Sequence, residues 1–187
     1  MNIITPVSKI NVSNQKCGQR AAAAYLGKKR AGAAALKSCR IDVAGELSYV
    51  PYWIARIDTV KARAFPLYPD KKITFYLVCD GIDGEYIVLR NIPEVRNEDV
   101  AKNRLLPCRI PEDELAGRIV DEAIKTRINK QYIFGPPQIT SRSQYLMYLP
   151  ARCVRVGRGD AEDCRTFRVN VYTGEVKHCG PGAGGAV

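Results

Sequence analysis

The chain reads as an α+β protein built from a duplicated helix plus antiparallel β-hairpin unit, the two copies packed as a pseudo-symmetric pair. Three observations predict it: two stretches that recur in the same order, β-rich runs joined by glycine-containing turns, and an amphipathic helix ahead of the second copy. Tyr49-Val50-Pro51-Tyr52-Trp53-Ile54-Ala55-Arg56-Ile57 matches Tyr148-Leu149-Pro150-Ala151-Arg152-Cys153-Val154-Arg155-Val156 at an offset of 99. Asp80-Gly81-Ile82-Asp83-Gly84-Glu85 matches Asn170-Val171-Tyr172-Thr173-Gly174-Glu175 at an offset of 90. The difference is a longer connection in the first copy, where Ala64 to Asp70 interrupts the pattern. Self-similarity at a fixed period is the mark of a repeated supersecondary unit.

The elements follow in order. Ala21 to Leu26 and Ala33 to Leu36 are good helix formers, with Gly18, Gly27 and Gly32 as interruptions. The Tyr-x-Pro stretches read as strands, with Pro51 and Pro150 expected at an edge or a bulge because proline cannot donate to a ladder. Ile73 to Cys79 and Glu85 to Arg90 read as a hairpin. The helix is predicted over Pro111 to Lys130. Glu112, Asp113 and Glu114 suit its positive end, and Lys125, Arg127 and Lys130 its negative end. Leu115, Ile119, Ala123, Ile124 and Ile128 form its apolar face. Thr166 to Val171 alternates as a half-buried strand and turns at Thr173-Gly174 into a strand at Glu175 to Lys177. The expected organisation is an N-terminal extension (1–12), a first unit (13–92), a linker (93–110), a second unit (111–179) and a flexible glycine-rich tail (180–187). The second copy's helix followed by strands ending in Thr173-Gly174-Glu175-Val176 resembles the PepSY-type domains of bacterial envelope proteins. Those domains usually come with an export signal; the N-terminus here lacks the apolar stretch of one, and no function is carried across.

Charge is unevenly placed. Residues 1–41 hold Lys9, Lys16, Arg20, Lys28, Lys29, Arg30, Lys37 and Arg40 and no carboxylate, so +8 of the formal +10 lies there. A basic segment on a nearly neutral body points to an anionic partner, an organellar address or a docking arm. Lys16, Arg20, Lys28, Lys29, Arg30, Lys37 and Arg40 are the candidate anion-binding residues. Only Tyr25 offers an aromatic surface within the segment, which argues against base-specific recognition. Tyr49, Tyr52, Trp53, Tyr145 and Tyr148 are the candidate interface residues, since amphipathic aromatics suit half-buried strands and interfaces.

Catalytic and metal chemistry finds little support. Seven cysteines at scattered spacing read as free thiols of a reducing compartment, with one Cys153–Cys164 bridge as a lesser alternative. A zinc site from Cys153, Cys164, His178 and Cys179 matches no familiar ligand spacing. His178 is the sole histidine, and no spacing places a nucleophile and a carboxylate beside it. Asp80 to Glu85 reads as a hairpin turn rather than a calcium loop, and Gly157-Arg158-Gly159 as a loop rather than a phosphate cradle. Neither cofactor nor metal is expected, and no apolar run approaches the roughly 20 residues of a membrane span. The expected role is a non-catalytic structural or linker subunit of a larger assembly, inside a reducing cytoplasmic or organellar compartment and not secreted. Its partners would be other protein subunits. The alternative is an RNA- or DNA-binding protein using the same basic segment for phosphate contacts.

Overall fold

The computed structural model describes residues 1–6, 12–27, 32–61, 70–92, 94–132, 135–157 and 164–179. In chain order the elements are β1 (Asn2–Pro6), α1 (Asn14–Leu26), α2 (Ala33–Lys37), β2 (Arg40–Val43), β3 (Ser48–Lys61), β4 (Lys71–Asp80) and β5 (Tyr86–Leu89). Then come β6 (Val95–Asp99), a 3₁₀ turn at Lys102–Arg104, helix α3 over 112–131, β7 (Gln138–Gly157), β8 (Cys164–Asn170) and β9 (Val176–Cys179). The architecture is α+β, with antiparallel strand pairing. The chain divides into two compact units made of non-consecutive segments. The first is Met1–Val7, Val50–Val100 and Leu105–Tyr148; the second is Ser8–Tyr49, Ala101–Arg104 and Leu149–Val187.

In the first unit β4 lies between β5 and β3, with Tyr52 facing Asp80 and Lys61 facing Lys71 across the β3–β4 ladder. Helix α3 forms where its charge pattern and apolar stripe predict. Leu115, Ile119, Val120, Ala123, Ile124 and Ile128 are buried against Ala55, Ile57, Phe75, Leu77 and Cys79. Each large aliphatic side chain so buried contributes about 1.5–3 kcal/mol. Pro111 sits just outside the helix in extended backbone (φ −72°, ψ 159°) rather than in its first turn. The α-helical turns alternate with wider π-type stretches at Leu115–Ile119 and Ile124–Ile128. The segments expected as an extension and a linker are structured: β1 pairs with β6, Asn2 facing Asp99 and Pro6 facing Val95. Ile3 and Thr5 are buried there, and the Thr5 hydroxyl donates to Glu98 at 3.1 Å.

In the second unit β7 pairs with β8 over Ala151–Gly157 and with β2 over Val154–Gly157, and β9 forms an edge. Helix α1 starts at Ser13, whose hydroxyl accepts from the Lys16 amide (3.4 Å), and ends at Gly27 with φ 76°. Its buried face is small: Cys17, Gly18, Ala21 and Ala22. Cys17, Ala21 and Ala22 pack with Val12 on Val154, Val156, Phe167, Val169 and Val171. A Cβ at Gly18 would come within 2.9 Å of Ile41 Cγ2, so glycine there lets α1 lie close to β2.

Each unit therefore pairs a helix with the hairpin of the other sequence stretch: α3 with β3–β5, and α1 with β7–β9. Sequence adjacency suggests the opposite grouping. Neighbouring position in the chain does not decide which sheet an apolar helix face covers.

The two hairpin turns share one hydrogen-bond pattern. The Asp80 amide donates to the Glu85 carbonyl (2.8 Å) and the Gly84 amide to the Asp80 carbonyl (2.9 Å); Asn170–Glu175 and Gly174–Asn170 do the same at 2.9 and 2.7 Å. Asp80 Oδ1 accepts from the Ile82 amide, and Asn170 Oδ1 from the Tyr172 amide, each at 2.9 Å. Gly84 and Gly174 have φ 77° and 73°, a left-handed conformation that favours glycine. The Pro51 carbonyl accepts from Gly81 at 2.9 Å and the Pro150 carbonyl from Val171 at 3.1 Å. Both prolines stand one residue before a ladder begins, Tyr52–Asp80 and Ala151–Asn170. They occupy ladder ends in interior strands rather than a sheet edge.

Candidate functional site

Strand alternation sorts the second unit's side chains onto two faces. One carries Val154, Val156, Phe167 and Val169 and is covered by α1. The other carries the alternate residues. Arg40 faces Gly157 and Asp42 faces Arg155 across β2–β7. Arg155 faces Thr166, and Cys153 faces Arg168, across β7–β8. Arg168 in turn faces Lys177, and Thr166 faces Cys179, across β8–β9. Arg40, Arg155, Arg168 and Lys177 thus form a diagonal basic stripe, one from each of four neighbouring strands. Arg40 and Arg155 are exposed, and Arg168 and Lys177 half-buried. Among the described residues Asp42 is an acidic residue on the same face, which Cys153, Cys164 and Cys179 share.

The stripe belongs to a unit that holds all of the net charge. The second unit contains 16 of the 29 Lys and Arg but 6 of the 19 Asp and Glu, giving +10. The first unit contains 13 of each and is formally neutral.

The predicted anion-binding residues separate into three groups. Lys28, Lys29 and Arg30 lie outside the described residues. Lys16, Lys37 and Arg40 are exposed. Arg20 is exposed but engaged, its guanidinium donating to the carbonyls of Gly174 (2.7 Å) and Thr173 (3.4 Å). Of this set only Arg40 lies on the stripe. The predicted interface aromatics divide between buried and half-buried positions. Tyr49, Tyr52 and Tyr148 are buried, and Trp53 and Tyr145 half-buried. Trp53 donates its indole N–H to the Ile110 carbonyl at 2.8 Å, and the Arg104 guanidinium lies 5.4 Å from the Tyr49 ring centre.

Thiol chemistry is damped by burial. Burial pushes the Cys79 thiol up to about 12, with Asp80 adding to the effect. Burial likewise raises Cys17, against the opposing pull of Arg152 and Arg20. Cys108 is raised by burial, and Cys179 by burial and then by Cys153, with Arg168 opposing. The thiolate needed for nucleophilic attack is disfavoured at all four. His178 sets its ring edge-on to Phe167 at 5.5 Å and 73°, on the face opposite Cys179. Cys153 and Cys164 are free; they face Arg168 and Gly157, four residues apart along the ladder, too far for a disulfide. Among the described residues no cluster of three or more His, Cys, Asp or Glu could hold a metal ion, and no helix is long and apolar enough to cross a membrane.

Comparison with protein-family models, curated proteins and solved structures finds no match for this chain. Sequence reasoning missed Arg155, Arg168 and Lys177. They lie in a stretch whose charges nearly balance, and only strand register gathers them beside Arg40.

Proposed function

We propose that the chain is a non-catalytic structural or linker subunit that docks onto an acidic surface of a larger assembly through its basic second unit. The observation that carries this reading is the partition of charge, +10 in one compact unit and zero in the other. A field of one sign on one body steers association with a partner of opposite sign, and the neutral body is left to pack or space. The fold itself reads as an internal duplication whose two helices are exchanged between hairpins. Its support is the shared turn geometry at Asp80–Glu85 and Asn170–Glu175 and the paired Pro51 and Pro150 contacts.

The experiment is substitution rather than truncation, because removing residues 1–41 would also remove Cys17, Ala21 and Ala22 from the second unit's core. Lys16, Lys37, Arg40 and Arg155 changed together to Gln should sharply weaken binding to immobilised polyanions, polyglutamate and oligonucleotide alike. The same change at Lys71, Lys72, Lys125 and Arg127 in the first unit should leave it intact. Equal loss in both variants, or no binding by the wild type, would overturn the reading.

A further inference from the structure

We infer that strand β5 is a homodimer edge, at which two copies of this chain pair β5 with β5 antiparallel about a two-fold axis through Val88. The inference goes beyond the docking reading and does not rest on it. Among the described residues β5 pairs with β4 alone, which leaves its other side a backbone edge. The phase of that edge follows from the turn before it. The Asp80 amide donates to the Glu85 carbonyl, so ladder alternation directs the backbone groups of Ile87 and Leu89 at β4. Those of Tyr86, Val88 and Arg90 point outward.

The side chains leave this edge unguarded. Natural edges are protected by lysine, proline or a bulge, and Tyr86-Ile87-Val88-Leu89 has none of them in its continuous register. Among the described residues the exposed large hydrophobics are Met1, Ile41, Ile87 and Leu89. Two of these stand on this one short strand, at 57% and 37% exposure. Tyr86 and Val88 pack toward α3, so Ile87 and Leu89 lie on the other face, beside their half-buried ladder partners Val78 and Tyr76.

Self-complementarity identifies a second copy as the occupant. A two-fold axis perpendicular to the sheet pairs residues of the same face, each contact occurring twice. Centred on Val88, it sets Ile87 of each copy opposite Leu89 of the other, at the close pairs where side chains touch most. Val88 then exchanges hydrogen bonds with its own counterpart, and Tyr86 with Arg90 of the second copy. Centred on Ile87, the same edge would set Leu89 against Glu85, an apolar side chain against a carboxylate. On the α3 face the charges also match. Arg90 of one copy arrives beside Tyr86 of the other, whose hydroxyl donates to Glu122 at 3.1 Å. The guanidinium thus meets an aromatic ring and a carboxylate together. The first unit, which carries β5, holds 13 basic and 13 acidic residues, so it approaches a copy of itself without net repulsion.

A contact built on four residues is small and the association weak. The test is sedimentation equilibrium of the full chain from about 10 μM to about 1 mM, the range of a transient interface. Salt at about 0.5 M screens the repulsion between two chains of net charge +10. The mass should rise with concentration from one chain toward two and no further. Ile87→Lys with Leu89→Lys should raise the dissociation constant at least about 10-fold, because each change acts twice across the axis. Val88→Pro, which removes an outward N–H that β4 does not use, should do the same. Arg90→Glu and Glu122→Lys should each weaken pairing about 3- to 10-fold, and together restore it to within about 2-fold of wild type. Ile87 and Leu89 are exposed, so in dilute solution their variant should melt like wild type, which separates lost pairing from lost fold.

A chain that stays monomeric throughout would overturn the inference and leave the edge to a foreign strand. A dimer that persists in the Ile87→Lys/Leu89→Lys variant would place the contact elsewhere and overturn it equally. Growth past two chains would overturn the two-fold axis. Dissociation by the lysine variant without recovery in the Arg90→Glu/Glu122→Lys pair would overturn the register centred on Val88. Polyanion binding is read separately, so failure here leaves the docking reading standing.

Discussion

Replacing Gly174 by alanine should destabilise the protein more than the same change at Gly84, although the two glycines have nearly the same backbone conformation. Their φ angles are 73° and 77°. Forcing an L-residue into the left-handed region costs about 1–2 kcal/mol at either position. At Gly84 a new Cβ would meet Ile110 Cδ1 at 3.4 Å, an ordinary contact, so the backbone cost stands nearly alone. At Gly174 the Cβ would fall on the Arg20 guanidinium, which must then leave. Its bonds to the Gly174 and Thr173 carbonyls go with it. Hydrogen bonds to charged groups contribute about 1.5–3 kcal/mol, and solvent exposure of Arg20 reduces this to about 1. The expected cost is therefore about 2–3 kcal/mol for Gly174→Ala against about 1–2 for Gly84→Ala. In a chain of this size each kcal/mol lowers Tm by about 2–4 °C. Calorimetry or urea unfolding of both variants, together with Arg20→Ala and the Arg20→Ala/Gly174→Ala double, gives a double-mutant cycle. The two sites should couple by about 1 kcal/mol. Strict additivity, or equal losses at Gly84 and Gly174, would refute a structural role for Arg20 and return it to the exposed anion-binding residues.

Alkaline pH should destabilise the fold partly through Cys79. Folding raises this thiol from 9.0 to about 12, so its contribution is complete below pH 9 and is lost as pH rises through that window. Cys79→Ala should show a shallower fall in urea midpoint above pH 9 than the wild type. Acid should act through Asp58, whose carboxylate is held below its ordinary 3.8 by hydrogen bonds from the hydroxyls of Thr74 and then Ser141, with Arg56 a smaller cause. That stability is present above pH 3.8 and lost as pH falls below it. Asp58→Asn should be the less stable protein at neutral pH, with the gap closing in acid. Phe75, fully buried on β4 beneath the Arg90 guanidinium at 3.9 Å, should cost about 3–5 kcal/mol as Phe75→Ala, read from chemical denaturation.

Local patterns made much of the fold legible. The apolar stripe from Leu115 to Ile128, with acids ahead and bases behind, specifies α3 because burial and the helix dipole agree. The hairpins at Asp80–Glu85 and Asn170–Glu175 are equally local, since turn chemistry and alternation coincide there. The β1–β6 ribbon was not legible. Val95-Arg96-Asn97-Glu98-Asp99 has no alternating pattern, and its partner lies at the start of the chain, from Asn2 opposite Asp99 to Pro6 opposite Val95. Strand β2 was hidden because Arg40-Ile41-Asp42-Val43 sits at the end of a segment dominated by alanine and lysine. The candidate site suffered most. Arg155, Arg168 and Lys177 each have an unremarkable sequence neighbourhood, and their common face depends on register, a long-range property.

Which helix covers which hairpin also decides where the charge goes. Grouped along the chain, residues 13–92 carry 13 basic and 7 acidic side chains, and residues 111–179 carry 11 and 9. The first stretch is then basic at +6 and the second nearly balanced at +2. In the folded chain α1 covers β7–β9, joining Lys16 and Lys37 with Arg155, Arg165, Arg168 and Lys177 in one body. Helix α3 carries its five acids, Glu112, Asp113, Glu114, Asp121 and Glu122, to β3–β5, where Lys71, Lys72 and Arg90 offset them. The outcome is 16 basic against 6 acidic residues in one unit and 13 against 13 in the other. Folding therefore turns stretches of +6 and +2 along the chain into a neutral body and a strongly cationic one. Restoring charge symmetry without touching the core, by Lys16→Glu and Lys37→Glu paired with Glu112→Lys and Asp121→Lys, keeps the net charge of the whole chain at +10. If polarity rather than total charge drives docking, that variant should bind polyanions more weakly than the wild type at the same salt. Unchanged affinity would show that total charge is sufficient.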